Sequence, residues 1–469
     1  MPVLTAAGLE HINENSLRLL ENVGLRLEQP QVQELLLSSG AREGGRPGVI
    51  CLPRPMVQDA LAAAPKQVRL CAMDGSEVAL TAHGPSVFWT VNAIYAAEGD
   101  TVTPIDEACF IRMCQVAQAC KHLHATVAPS IADYPANCRD FVGLRLLAEH
   151  TTRHLRPCIY TPQGTIAMRE MGEVLAGDAT LRERPVYSLG FTSVSPLTWS
   201  PFALDVFVKS SGHGVPIMIN AEPIAGATGP VTLAGSLSLA NAEALGGLVI
   251  VQLLEPGRPC VFNLGFNHVL DMKTAVTRTG CPECALMQAA GAEISRSHGL
   301  PSASWASTES MVPDSQAALE KSVMSLMHAL STVNIIWGIG QLESQRTISL
   351  PQMLIDDEIA GIALRAQRGI EVTEETLAYD VVAELGNEAD YLGHDHTLRH
   401  YRSEVHYGDL IWTNRREPWE QAGAQTMLQR AEERVDDILS EAAECLLPQD
   451  VQAELLAIQS RWMEQQRTG

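Results

Sequence analysis

Short apolar runs recur along this chain at 87–91 (VFWTV), 125–129 (ATVAP), 157–161 (PCIYT), 186–190 (VYSLG), 216–220 (PIMIN), 260–264 (CVFNL), 302–306 (SASWA) and 333–337 (VNIIW). Each is followed by a longer segment, with helical spacing at 105–120, 136–150, 164–176, 230–254, 281–297 and 314–331. Apolar runs of this length between turn residues suit strands buried on both faces, and the longer segments suit covering helices. Eight strand–helix units in succession predict an α/β fold, a (β/α)8 TIM barrel. An open doubly wound sheet shares the rhythm, because periodicity does not report closure. No GxGxxG or Walker motif follows any run, so a nucleotide cradle has no support.

Residues 5–24 and 30–39 carry helical spacing, and VRLCAMDGSEVAL reads as two strands joined by a DG turn. Residues 1–85 are therefore read as an N-terminal extension of helices and strands, 86–370 as the barrel, and 371–469 as a helical tail packed on it. The tail carries charged helical patterns at 352–384 and 417–443 around YLGHDHTLRHYRSEVHYGDL. The most apolar long window, Val231 to Leu254, contains Asn241 and Glu243 and is rich in Gly, Ala and Ser. It suits a buried scaffold helix better than a membrane span.

The formal net charge of −22 opposes nucleic-acid binding, which needs cations against phosphate, and disfavours an anionic membrane surface. Eleven scattered cysteines and a start without a basic, apolar leader fit reduced thiols in the cytoplasm. Cys281-Pro-Glu-Cys284 is a lone CxxC, which supplies only two of the four ligands of a zinc site. GxSxG is absent, so hydrolase chemistry has no anchor.

In a barrel the site lies where strands end. Only 5% of the residues are aromatic, yet Phe88, Trp89, Tyr95, Tyr160, Phe191, Trp199, Phe266, Trp305 and Trp337 lie at or just past the apolar runs. Asn92, Asn220, Glu222, Asn263, Glu309 and Gln341 join them. An aromatic at a strand serves equally as core filling. As a group, such rings build a cage for a quaternary ammonium, which has no N–H to donate and is held by ring faces. The tail offers His394, His396, His400 and His406 with Arg399 and Arg402. Two readings stand for it: a surface or interface element, or a loop over the mouth presenting cationic donors to a carboxylate.

GPVTLAGSLSLANAEALGGLVIVQLLEPGRPCVF (229–262), PDSQAALEK (313–321), LIDDEIAGIALRAQRGIEVTEETLA (354–378) and HTLRHYRSE (396–404) resemble the trimethylamine methyltransferase superfamily, over nearly the whole chain. The resemblance implies a TIM barrel and methyl transfer from a methylated amine to the cobalt of a corrinoid carried by a separate protein. No metal is then bound by this chain, and the D-x-H-x-x-G motif of corrinoid carriers is absent. Founding members use pyrrolysine. This chain has only standard residues and resembles the non-pyrrolysine branch, whose substrates are quaternary amines: glycine betaine above all, and proline betaine, carnitine and butyrobetaine. It departs from the family at Met311, where a Lys is common.

A quaternary ammonium already carries its leaving-group charge, so positioning is the main task. The roles expected are cage walls for Trp305, Phe191, Tyr160, Phe88 and Trp337, and substrate contacts for Tyr95, Asn220 and Gln341. Glu309 and Glu222 would tune the cationic end. His396, His400 and Arg402 would anchor a carboxylate or else fix the tail. The partners expected are a corrinoid protein and a small quaternary amine, with room for a homo-oligomer. A betaine-binding or sensor protein without catalysis shares the cage; a zinc-dependent corrinoid methyltransferase for methanol or thiols would need a Lewis acid.

Overall fold

In the computed structural model, which describes residues 2–99, 101–387 and 390–468, the eight units close into a barrel. The strands are β1 (Val87–Thr90), β2 (Leu123–Val127), β3 (His154–Arg156), β4 (Leu189–Thr192), β5 (Ile217–Asn220), β6 (Cys260–Gly265), β7 (Ser302–Trp305) and β8 (Ile335–Ile339). All neighbours pair in parallel, and β8 pairs with β1. The β3–β4 seam is joined by a parallel bridge between Leu155 and Tyr187. There Leu155 N–H donates to Val186 at 3.0 Å and Ser188 N–H to Leu155 at 3.2 Å. The closed barrel, rather than the open sheet, is the architecture.

Helices α1 (Glu107–Ala119), α2 (Arg139–His150), α3 (Gly164–Ala176), α4 (Pro201–Lys209), α5 (Leu233–Leu254), α6 (Pro282–Ser297), α7 (Ser315–Leu330) and α8 (Leu350–Arg368) follow the strands in turn. Local chemistry sets several starts. Asp106, Ser200, Asp314 and Ser349 each accept a backbone N–H of the first turn. Helix α4 was not among the helical segments read from sequence; nine residues give too few turns for a clear period. The third strand lies at 154–156, just before the expected run, because Pro157 has no N–H to extend the ladder. Residues 157–161 instead form the loop beyond it.

Two layers of apolar side chains result. Val87, Trp89, Val91, Ala125, Val127, Met218, Val261, Ala303, Trp305, Ile335 and Trp337 fill the barrel interior with Val68, Leu70 and Leu80. The last three come from the hairpin Gln67–Cys71/Glu77–Thr81, the DG-turn pair of the extension. It plugs the N-terminal floor of the barrel. Asn334, just before β8, donates to Thr81 O at 2.7 Å. His154 Nδ1, at the foot of β3, sits 2.9 Å from Cys71 O.

Helix α5 is long and apolar enough to cross a membrane, but most of it is buried inside the protein. The N-terminal helix Ala6–Asn22 covers it. Ser16 Oγ donates to Ser238 O at 2.9 Å, and Asn241 Nδ2 donates to Ser16 Oγ at 3.0 Å. Gly246 lets Leu25 lie where a Cβ would stand 2.1 Å from its Cδ1.

The tail divides in two. Helices Met427–Glu441 and Gln449–Thr468 pack on the barrel helices, the first on α8 and α1 and the second on α3 and α2. Residues 371–409 contribute no buried residue among those described, and Ile370, Tyr379, Leu392 and Leu398 are exposed. The reading of 352–384 as one helical stretch is corrected at Gly369, whose φ of 71° ends α8.

A buried ion pair locks the end of β8. Lys321 on α7 donates to Gly338 O (2.9 Å), Gln341 O (2.7 Å) and Asp356 Oδ2 (2.5 Å). Asp356 on α8 also accepts Gly340 N–H at 2.7 Å and Gln352 Nε2 at 2.8 Å. Burial pushes the lysine down and the aspartate up, and their mutual attraction opposes both shifts. Asp356→Ala leaves a buried ammonium without its counter-ion and should cost about 3–5 kcal/mol. The double change Lys321→Met, Asp356→Leu should recover much of that in denaturant melts; equal losses in both variants would refute the clamp.

Candidate active site at the barrel mouth

At the C-terminal ends of the strands lies a cavity of about 350 Å³, lined by Asn92, Val127, Arg156 to Tyr160, Gly190 to Thr192, Asn220, Glu222, Phe266, Trp305, Trp337 and Gln345. Its aromatic side is built from β6, β7 and β8. Phe266 stands edge-on to Trp305 (5.5 Å) and to Trp337 (6.0 Å). The buried Nε1 atoms of Trp305 and Trp337 have no hydrogen-bond partner among the described residues. Its polar side is an amide ladder: Asn263 Nδ2 donates to Asn220 Oδ1 at 2.9 Å, and Asn220 Nδ2 donates to Thr192 Oγ1 at 3.3 Å. Glu222 lies beyond the end of β5, with Oε1 3.3 Å from His268 Nε2, and that imidazole stands edge-on to Trp305 at 5.6 Å.

Arg156, the last residue of β3, lines this cavity together with Tyr160. Its guanidinium lies over the Trp337 ring at 5.5 Å, and Nη1 donates to Ser188 O at 2.9 Å. Burial depresses its pKa to about 10, with Cys158 opposing. Nothing in the sequence marked this residue, because arginines are mostly exposed and HLRPC does not read as a strand end.

Of the residues singled out from sequence, Asn92, Tyr160, Phe191, Asn220, Glu222, Phe266, Trp305 and Trp337 line the cavity. The Phe191 ring leans away towards Phe202 on α4, at 5.1 Å. Phe88 is a correction: the alternation of β1 turns 87 and 89 inward, and Phe88 packs in the layer under the helices. Tyr95 belongs to the rim strand Tyr95–Glu98, under the Arg346 guanidinium at 5.9 Å, and does not line the cavity. Gln341 is buried behind it, donating to Ser307 Oγ at 3.0 Å. Gln345 takes the place expected of it.

Glu309 does not face the cavity either. Its Oε1 accepts Gly280 N–H at 2.6 Å and Thr279 Oγ1 at 3.1 Å, tying the loop after β6 to the loop after β7. It does not cap its own following helix; Asp314 does that.

His396, His400 and Arg402 do not line the cavity, which leaves the carboxylate-anchor reading without contact there. They lie on the tail helix Asp395–Glu404, where His400 Nε2 meets Glu375 Oε1 at 3.2 Å and His396 Nε2 lies 3.4 Å from Glu375 O. Arg402 borders a separate hollow with His122, Arg365 and Arg368, residues at the start of β2 and the end of α8. Barrel helices run back from mouth to floor, so this hollow opens at the opposite end from the cavity.

Two buried carboxylates hold the loops that carry the cavity walls. Glu243 on α5 accepts Ser193 Oγ (2.6 Å), Ser195 Oγ (2.8 Å) and Leu197 N–H (2.8 Å), fixing the loop after β4. Asp140 on α2 accepts Thr161 N–H and Oγ1, both at 3.1 Å, fixing the loop that bears Tyr160. Gly164 has to be glycine here, since a Cβ would stand 1.8 Å from Asp140 Oδ2. Among the described residues no cluster of three His, Cys, Asp or Glu side chains has the geometry to hold a metal. The eleven cysteines are free thiols, and Cys281 and Cys284 lie with sulfurs 3.3 Å apart at the start of α6.

The fold and site thus define a TIM-barrel protein with an aromatic, partly charged pocket for a small molecule at its catalytic face. The family model for trimethylamine methyltransferase (MTTB) matches residues 1–466, and the chain belongs to that family of methyltransferases. It is 30% identical to the trimethylamine methyltransferase MttB of Desulfitobacterium hafniense (strain DSM 10664 / DCB-2), over 95% of this chain and 91% of that protein. It is 28% identical to the glycine betaine methyltransferase of Desulfitobacterium hafniense (strain Y51), over 97% and 96%. The solved monomethylamine methyltransferase MtmB of Methanosarcina barkeri superposes with a TM-score of 0.53 at 14% identity, covering 93% of this chain and 86% of that one. That likeness supports the barrel fold.

Burial raises the Asp140 pKa to about 6. The protonated form is therefore favoured by the fold. The stability this confers is complete below about pH 4 and is lost as pH rises through about 6, by up to about 3 kcal/mol. Relative to Asp140→Asn, the wild type should lose stability between pH 4 and 7. A stability difference that stays flat across that range would refute the assignment.

Proposed function

We propose that the protein transfers a methyl group from a quaternary amine of the betaine class to the cobalt(I) of a corrinoid carried by a separate protein. The observation that carries this is the pocket itself. It sets the rings of Tyr160, Phe266, Trp305 and Trp337 beside a single peripheral carboxylate, Glu222, at the open end of the barrel. Rings attract a quaternary ammonium by roughly 0.5–2 kcal/mol each. A ring-rich wall does so without the tight ion pair that would overstabilise the cation, whose charge disappears as methyl leaves. All residues are standard, and a quaternary amine needs no residue to activate its leaving group.

A docked corrinoid would supply the nucleophilic cobalt(I) that takes the methyl carbon, and the C–N electron pair would leave on nitrogen as a neutral tertiary amine. The chain's own work is to hold one N–CH3 towards the mouth and to exclude water. The mouth suits a large apolar visitor: Val194, Val231, Met272, Val276 and Met311, on loops beyond the strand ends, are exposed, Met272 by 76%.

The test is methyl transfer to cob(I)alamin from glycine betaine, proline betaine, carnitine, butyrobetaine and trimethylamine. At least one betaine should be demethylated and trimethylamine should not. Turnover of trimethylamine alone would overturn the substrate class. Saturable betaine binding without transfer would make the protein a binder rather than an enzyme. Trp305→Ala should raise the KM for the active betaine at least tenfold, with a smaller change in kcat; unchanged saturation would remove Trp305 from the cage.

A further inference from the structure

We infer that Arg156 is the seat for a substrate carboxylate, so that the substrate lies with its acid end deep in the barrel and its N-methyl groups at the mouth. The inference rests on the betaine reading above and adds a residue, a polarity and a selectivity rule to it.

The first observation is an unbalanced charge. Arg156 is 5% exposed, yet among the described residues it makes no ion pair with any carboxylate. Among the described residues its side chain's one hydrogen bond goes from Nη1 to a carbonyl, and Nε has no partner. A buried guanidinium in this state is costly, and buried charges in proteins are ordinarily paired. The other buried cations follow that rule: Lys321 has Asp356, Arg145 has Glu149, and Arg258 has Glu255 within 3.7 Å. Arg156 is the exception, and it borders the cavity.

The second observation is that the fold makes room for this side chain. Gly190 on the next strand is where a Cβ would stand 2.5 Å from Arg156 Nη2. The Trp337 ring backs the guanidinium plane. A planar donor fork, fixed by a ring and a glycine and lacking an anion, is prepared for a carboxylate.

Orientation follows from the charges. A quaternary ammonium is repelled by Arg156 and attracted by Glu222, which lies beyond the strand ends. The ammonium therefore points outward, where the methyl acceptor must arrive. The same field disfavours amines that have no acid group, such as choline or trimethylamine.

Calorimetric binding to the whole protein tests this with three probes: glycine betaine, choline, which lacks the carboxylate, and 3,3-dimethylbutyrate, which lacks the cation. Arg156→Gln should weaken betaine and dimethylbutyrate by roughly 30-fold or more, the worth of a charge-assisted bidentate contact. It should leave choline unchanged or bound more tightly. Arg156→Lys keeps the charge without the fork and should retain betaine binding to within roughly tenfold. Should the Gln variant not fold, the Lys variant carries the test: its loss should fall on betaine and dimethylbutyrate and not on choline, and an equal loss of all three would overturn the seat. Equal losses for betaine and choline, or betaine affinity retained in Arg156→Gln, would overturn the seat. Methyl transfer separates the two claims. Arg156-dependent anion binding without turnover would fail the enzymatic reading alone; turnover with Arg156→Gln at unchanged KM would fail the seat alone.

Discussion

The Lys321–Asp356 pair is the constraint on which the catalytic face depends. Strand β8 must end where Trp337 can point inward, and the chain must then turn sharply through Gly338 and Gly340, both with positive φ. Such turns leave carbonyls and amides without ladder partners. Lys321 takes the Gly338 and Gln341 carbonyls, and Asp356 takes the Gly340 amide. One ion pair thereby ties α7, the end of β8 and α8 together. Gln341 and Gln345 follow on the same segment. The two partners come from PDSQAALEK and LIDDEIAG, within two of the segments that resemble the family.

The barrel was legible because its signal is repeated. Eight strands and most of the helices emerge from apolar rhythm alone, since every unit must bury the same kind of surface. Boundaries were less legible where one residue overrides the rhythm: Pro157 shortens β3 and Gly369 ends α8. Alternation within a strand was not legible at all in VFWTV. Every residue there is compatible with burial, so the phase that turns Trp89 inward and Phe88 outward is set by pairing and not by composition.

The candidate site was legible where its residues sit on the barrel frame and illegible where they act through the tertiary structure. Trp305, Trp337, Tyr160, Asn220 and Glu222 come together because strand ends converge. Glu309 stands at an equivalent place in sequence but serves two amide groups of the neighbouring loop. The histidines of the tail looked like a ligand set because of their spacing. The helix they form lies beyond α8, whose end is on the floor side, and spacing along one helix does not report which end of a barrel it lies against.

Arg156 was hidden for a different reason. A sequence assigns arginine to the surface by default, and the default fails where a protein keeps a charge unpaired for a ligand. The fold accepts this because the guanidinium retains one carbonyl, a ring face and the space left by Gly190. For the betaine substrate proposed above, the arrangement would also resolve a tension in demethylating a zwitterion. A site that held the ammonium with strong ion pairs would stabilise the ground state more than a transition state that is losing its charge. Placing the strong electrostatic contact at the carboxylate, which is unchanged by the reaction, gives binding that persists through the transition state. The rings proposed to surround the ammonium would then be left to position the methyl group rather than to hold its charge.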